Sequence, residues 1–125
     1  MPAARIAVID DDPVEHLLIT EMASELGLDI AFDCYTSLDA CLEAGVDAFT
    51  HIFLDRRLPP YNEYTETLPK LAEAGFTGKI ILMTAHDPGL ETGAYPFSLI
   101  GPVDKLELIE PDRFRGVLGQ GTLAA

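Results

Sequence analysis

The sequence predicts an α/β domain, a parallel sheet of five strands covered on both faces by helices. Short apolar runs rich in β-branched residues recur along the chain, and the segments between them carry apolar residues at helical spacing. Gly, Pro and capping residues mark most of the junctions. No repeat, linker or low-complexity tract interrupts the alternation, and strands that alternate with helices imply right-handed crossovers into one parallel sheet.

Arg5–Ile9 (R-I-A-V-I) reads as the first strand, apolar enough to be buried on both faces. A helix follows Asp12-Pro13, with Pro13 suited to its first turn, Val14, Leu17, Leu18, Met22 and Leu26 at helical spacing, and Gly27 as its stop. Ile30–Tyr35 alternates in the manner of an edge strand. Ser37 caps a short helix that runs to Ala44 and ends at Gly45. His51–Leu54 is the third strand and stops at Asp55; a loop, Arg56–Tyr64, carries Pro59-Pro60. The next helix holds Leu68, Leu71 and Ala72, and its Pro69 fits only a first turn, because proline has no N–H to bond one turn back. Ile80–Met83 is the fourth strand, closed by Thr84-Ala85, and Leu99–Val103 is a weaker fifth strand reaching Lys105. Pro111 opens a last helix with Phe114, Val117 and Leu118 on one face, stopped by Gly119; the tail 119–125 is expected to fray.

A chain of 125 residues makes one domain with a core of its own. No apolar run approaches the roughly 18–20 residues of a membrane span, and Met1–Arg5 lacks the pattern of a signal peptide. A cytoplasmic protein is the expectation. Eight basic against 21 acidic residues give a formal charge of −13, a field that repels nucleic acids and anionic membranes. Cys34 and Cys41 have no further Cys or His at metal-binding spacing and read as reduced, partly buried residues.

In parallel sheets the active crevice lies at the carboxyl ends of the strands. Here the first strand ends in Asp10-Asp11-Asp12, the third in Asp55, the fourth in Thr84 and the fifth at Lys105. Carboxylates gathered at one rim repel one another, and a hard divalent cation with oxygen ligands, magnesium above all, relieves that repulsion. One carboxylate is then free to attack a phosphoryl group, with Thr84 and Lys105 as hydroxyl and ammonium partners for its oxygens. Each residue also has an ordinary explanation: Asp12 as a helix cap, Thr84 as a strand terminus, Lys105 as a solvated lysine. Their coincidence at four strand ends favours the joint reading.

On these residues the chain resembles the receiver domains of response regulators. The segments that carry the resemblance are Ile6–Pro13 (I-A-V-I-D-D-D-P), Ile52–Pro59 (I-F-L-D-R-R-L-P), Ile80–Ala85 (I-I-L-M-T-A) and Val103–Lys105 (V-D-K). The resemblance implies a flavodoxin-like sheet of order 2-1-3-4-5 and one receiver domain with its core at about residues 5–118. It implies Asp55 as phosphoacceptor, and Mg2+ held by Asp10, Asp11, Asp55 and the backbone carbonyl of Arg57. Thr84 and Lys105 would contact the phosphoryl group. A sensor histidine kinase or a histidine phosphotransfer protein would be the donor, and a downstream protein the target.

Three positions depart from the family pattern. Leu106 follows Lys105 in place of a cis proline, Pro102 stands where an aromatic switch residue is usual, and Asp87–Ser98, rich in Pro and Gly, predicts a short or irregular fourth helix. Arg57 and His86 flank the expected path of the hydrolytic water and are candidates for tuning phosphoryl lifetime. Two rival readings are a receiver-like interaction module that works without phosphorylation, and a haloacid-dehalogenase-like phosphatase with Asp10 as nucleophile and Asp12 as general acid–base. A nucleotide-binding flavodoxin-like protein would need a glycine-rich phosphate loop after the first strand, where this chain is acidic.

Overall fold

The computed structural model describes residues 4–56, 58–61, 64–84 and 95–118, with Thr84 and Pro102 as backbone only. Five parallel strands, β1 (Ala4–Ile9), β2 (Ile30–Tyr35), β3 (His51–Asp55), β4 (Lys79–Thr84) and β5 (Ser98–Asp104), form one sheet of order β2-β1-β3-β4-β5. The helices are α1 (Pro13–Glu25), α2 (Leu38–Ala44), α3 (Tyr64–Glu73) and α4 (Pro111–Leu118), with a 3-10 turn at Lys105–Ile109 between β5 and α4. Among the described residues no helix is long and apolar enough to cross a membrane. The irregular fourth helix expected within Asp87–Ser98 falls mostly outside the described residues, as does the 119–125 tail.

Because side chains of a strand alternate in direction, the apolar runs feed two cores. Ala7, Ile9, Ile52, Leu54, Ile80 and Leu82 pack beneath α2 and α3, against Leu38, Cys41, Leu68 and Leu71. Ile6, Val8, Phe53, Ile81, Met83 and Val103 pack beneath α1 and α4, against Ile19, Met22, Phe114 and Val117. Phe53 and Phe114 stack with ring centroids 5.9 Å apart, which ties α4 to the central strand. His51 adds a polar tie at the opposite rim, its Nε2 3.2 Å from the Leu118 carbonyl and its Nδ1 2.8 Å from the Thr50 hydroxyl.

Local chemistry sets the helix ends. Asp12 accepts from the Val14 N–H and Ser37 from the Ala40 N–H, which satisfies donors that have no partner inside the helix. Gly45, just beyond α2, has φ +94°, a conformation that β-carbons oppose. Ile30–Tyr35 is half-buried throughout except for exposed Cys34, as an edge strand should be.

Several expectations from the sequence need correction. α1 buries Ile19, Met22 and Ala23, whereas Val14, Leu17 and Leu18 are exposed, because only one side of this broadly apolar helix faces the sheet. Pro69 lies inside α3, not in its first turn; the helix accepts the lost hydrogen bond while burying Leu68 and Leu71. Of the two cysteines Cys41 is buried but Cys34 is exposed; both are free thiols. Residue order gives no sign of the 3-10 turn at Lys105–Ile109. Among the described residues the cis peptide is Pro59-Pro60, and Lys105-Leu106 is trans.

Truncation of the buried Phe114 to Ala should cost about 3–5 kcal/mol, since it opens a cavity against Phe53. Urea unfolding of the two proteins measures this, and a loss below about 1 kcal/mol would mean α4 contributes little to the core.

Candidate functional site

The site is built by alternation along the strands. Asp10 lies two residues beyond Val8, Asp55 two beyond Phe53, and Lys105 two beyond Val103. Val8, Phe53 and Val103 all belong to the core beneath α1 and α4, so the three polar residues emerge on the same side of the sheet at its carboxyl rim. Lys105 Nζ stands 2.9 Å from Asp10 Oδ2 and 3.3 Å from Asp55 Oδ1. Asp10 is fully buried, Asp55 nearly so, and the Lys105 side chain keeps only 22% exposure.

The backbone fixes these side chains. The Asp10 N–H bonds the Tyr35 carbonyl, extending the β1–β2 ladder by one residue, and Asp10 Oδ1 accepts from the Asp12 N–H at 2.9 Å. Asp55 is held opposite Met83 in the β3–β4 ladder, and the Arg56 N–H donates to the Met83 carbonyl. Thr84 follows Met83 and pairs with Asp104, so its backbone reaches the same rim. Arg57 and His86 lie outside the described residues.

Burial and charge act together on this cluster. Removal from water and the neighbouring Asp10 carboxylate push Asp55 up to about 6, against the opposing pull of Lys105. Burial works against the charge on Lys105, but its bonds to Asp10 and Asp55 outweigh that and raise its pKa. Glu15, in the first turn of α1, is also raised, first by burial; Lys105 opposes this rise.

Asp10, Asp11 and Asp55 each offer a carboxylate oxygen within 4.8 Å of the others. Ligands on opposite sides of an octahedral magnesium ion stand about 4 Å apart, so this all-oxygen set fits such a cation with small side-chain adjustments. Asp12 is engaged elsewhere, capping α1. The sequence thus located Asp10, Asp11, Asp55 and Lys105, and the structure brings these four together. It did not point to Glu15 beside Lys105; the only sequence signal was an acid in the first turn of the helix that follows the acidic triplet.

No family model and no curated protein sequence matches this chain. Solved structures do. A CheY-like receiver domain protein from Methanospirillum hungatei JF-1 is 22% identical, with a TM-score of 0.60, over 94% of this chain and 98% of that one. A receiver domain protein from Bacillus halodurans C-125 is 15% identical, with a TM-score of 0.64, over 87% of this chain and 92% of that one. The response regulator TrrA from Thermotoga maritima, determined in complex with Mg2+ and beryllofluoride, is 25% identical, with a TM-score of 0.52, over 66% of this chain and 70% of that one. With its 2-1-3-4-5 parallel sheet and this breadth of structural likeness, the chain has the CheY-like receiver-domain fold of response regulators.

Proposed function

We propose that this chain, as one receiver domain with its core at about residues 5–118, is a two-component phosphoacceptor that takes a phosphoryl group on Asp55. The observation that carries the reading is the Lys105 ammonium between buried Asp10 and Asp55, beside a three-carboxylate cluster, at the carboxyl rim of a receiver fold. The donor would be a sensor histidine kinase or a histidine phosphotransfer protein. Asp10, Asp11, Asp55 and the Arg57 carbonyl would hold Mg2+, which when bound offsets the crowded negative charge and polarises the phosphoryl oxygens.

Asp55 is the nucleophile in this scheme. Its oxygen forms the bond to phosphorus as the phosphorus–nitrogen bond of the phosphohistidine breaks, and the departing imidazole nitrogen takes up a proton. At neutral pH most Asp55 side chains are ionised despite their raised pKa. Lys105 already points its ammonium at Asp55 and would follow the charge onto a phosphoryl oxygen; the Thr84 hydroxyl would take another. Arg57 and His86, beside the path of water, would lengthen the life of the acyl phosphate. The protein is thereby a signalling phosphoacceptor, not an enzyme acting on a separate substrate. Asp10, whose two oxygens engage Lys105 and the Asp12 N–H, is poorly disposed as a phosphatase nucleophile, and Asp12 caps a helix.

Among the described residues the exposed large apolar side chains are Val14, Leu17, Leu18, Leu106 and Ile109. All five lie on α1, which follows Asp12, and on the 3-10 turn that opens with Lys105, two elements in contact. Glu15 and Glu21 lie on α1, Glu107 on the 3-10 turn, and Glu110 caps that turn. This surface suits a helix of the histidine-bearing donor, apolar on one face with basic flanks, set down beside Asp55. Leu18→Asp should then slow transfer from a phosphorylated histidine phosphotransfer protein at least about tenfold, roughly the 1.4 kcal/mol of a modest interface contact, while uptake from a small phosphodonor stays within about twofold. Equal slowing with both donors would remove the docking role.

The central test is incubation with acetyl phosphate and Mg2+, followed by intact mass. The expected result is one added phosphoryl group, dependent on Mg2+ and absent from Asp55→Ala, with a shorter-lived adduct in Arg57→Ala and His86→Ala. An adduct that survives in Asp55→Ala and maps to Asp10 would instead support the phosphatase reading; no adduct from any donor would leave a phosphorylation-independent interaction module.

The pH dependence of stability supplies a second check. A carboxyl whose native pKa exceeds its unfolded value binds its proton more tightly when folded, so this group's contribution falls as pH rises from about 4 to about 6. Without divalent cations, Asp55→Asn should therefore be more stable than the natural protein at pH 7, by on the order of 1–3 kcal/mol. The gain should vanish below pH about 3, where Asp55 is neutral in both states. Urea unfolding at the two pH values measures it, and an equal gain at both would exclude ionisation of Asp55 as the cause.

A further inference from the structure

The pairing of β4 with β5 contains an irregularity on which the place of Lys105 depends. Ile81 pairs with Ile100 and Met83 with Val103, so Leu82 alone faces both Gly101 and Pro102. One extra residue in a strand reverses the direction of every side chain beyond it. The cores record that reversal: Ile100 and Val103, three residues apart, both pack on the α1/α4 side, where an uninterrupted strand would place them on opposite sides. Lys105 shares the direction of Val103 and so reaches Asp10 and Asp55.

Gly101 makes the bulge possible. Its φ is +115°, and a β-carbon there would stand 2.8 Å from the Val103 nitrogen and 2.9 Å from the Leu82 carbonyl oxygen, both rigid backbone atoms. Pro102, the second residue of the bulge, has no N–H to contribute to the ladder, and β5 is the last strand in the sheet order, where that lack is tolerated.

We propose that the Gly101–Pro102 bulge is the positioning element for Lys105, setting the direction and reach with which its ammonium meets Asp10 and Asp55. Gly101 acts through Lys105 and touches no reacting atom. The consequence for phosphoryl uptake rests on the phosphoacceptor reading given above; the placement of Lys105 does not.

A double-mutant cycle on the full chain tests this. Gly101→Ala and Lys105→Ala are each expected to lower the rate of phosphoryl uptake from acetyl phosphate at least about tenfold, the scale for loss of one charge-stabilising donor, and the double variant to be no slower than Lys105→Ala. Gly78→Ala is the structural control: its β-carbon would run into the Thr50 carbonyl at the far end of β4, so it should lower stability yet keep uptake within about twofold. Nitrogen-15 NMR of the lysine side chains reads the placement without any phosphoryl chemistry. The slowly exchanging Lys105 ammonium signal should be present in the natural protein and in Gly78→Ala, and lost in folded Gly101→Ala. Deletion of Pro102, which removes the extra residue and leaves Val103 opposite Met83 in an unbroken ladder, should keep it. A Lys105 signal that persists in folded Gly101→Ala, or losses of Gly101→Ala and Lys105→Ala that multiply in the double variant, would overturn the proposal. If even the natural protein takes up no phosphoryl group, the phosphoacceptor reading fails while the NMR arm still decides the positioning one.

Discussion

The ammonium of Lys105, set between the buried carboxylates of Asp10 and Asp55, is the contact on which the rim of this protein depends. Buried carboxylates at close range repel each other, and neither is readily neutralised at physiological pH unless its pKa is pushed far up. A single lysine cannot balance Asp10, Asp11 and Asp55 together. Burial first, and the neighbouring Asp10 carboxylate second, raise the pKa of Asp55. The site is therefore under-neutralised, a condition that a divalent cation corrects and that favours a nucleophile able to shed charge onto phosphorus. Stability and the proposed chemistry pull in opposite directions here, because the charge crowding that weakens the fold is the property that phosphoryl uptake at Asp55 would use.

That rim exists because the sheet is parallel and covered on both faces. Strand direction gathers the ends of β1, β3, β4 and β5 at one edge, and alternation along each strand chooses which side they serve. Asp10, Asp55 and Lys105 each stand two residues beyond a core residue of the α1/α4 side, so the packing of Val8, Phe53 and Val103 orients the polar cluster. The same side carries the stacked pair Phe53 and Phe114. It also carries the exposed apolar surface of α1, which lies within the same first helical turns that shape the site. The proposed chemistry and the proposed donor-docking surface thus share one flank of the molecule.

Much of this was legible from residue order. The strand boundaries, the caps at Asp12 and Ser37 and the stops at Gly27 and Gly45 follow from short-range chemistry, and the structure has them within a residue or so. Burial was less legible where a helix is apolar on more than one side. Nothing local tells Leu17 and Leu18 from Ile19, yet only Ile19 meets the sheet, and the choice lies with the angle at which α1 packs. Pro69 misled for a related reason: local chemistry forbids it inside a helix, and tertiary burial of Leu68 and Leu71 overrides the prohibition.

By itself the sequence determined the fold class and the acidic and basic residues that end the strands, because periodicity, capping and side-chain charge are properties of neighbouring residues. Only the tertiary structure decided how those residues meet. The distance from Lys105 to its two carboxylates depends on strands far apart in sequence, the exposed face of α1 on a packing angle, and the aim of Lys105 on one unpaired residue between Ile100 and Val103. Register in a sheet is a cooperative outcome of many side chains seeking burial, and a shift of one residue reverses all that follows it. Residue order therefore records which groups are present at the rim, and the packing of the cores beneath sets which of them touch.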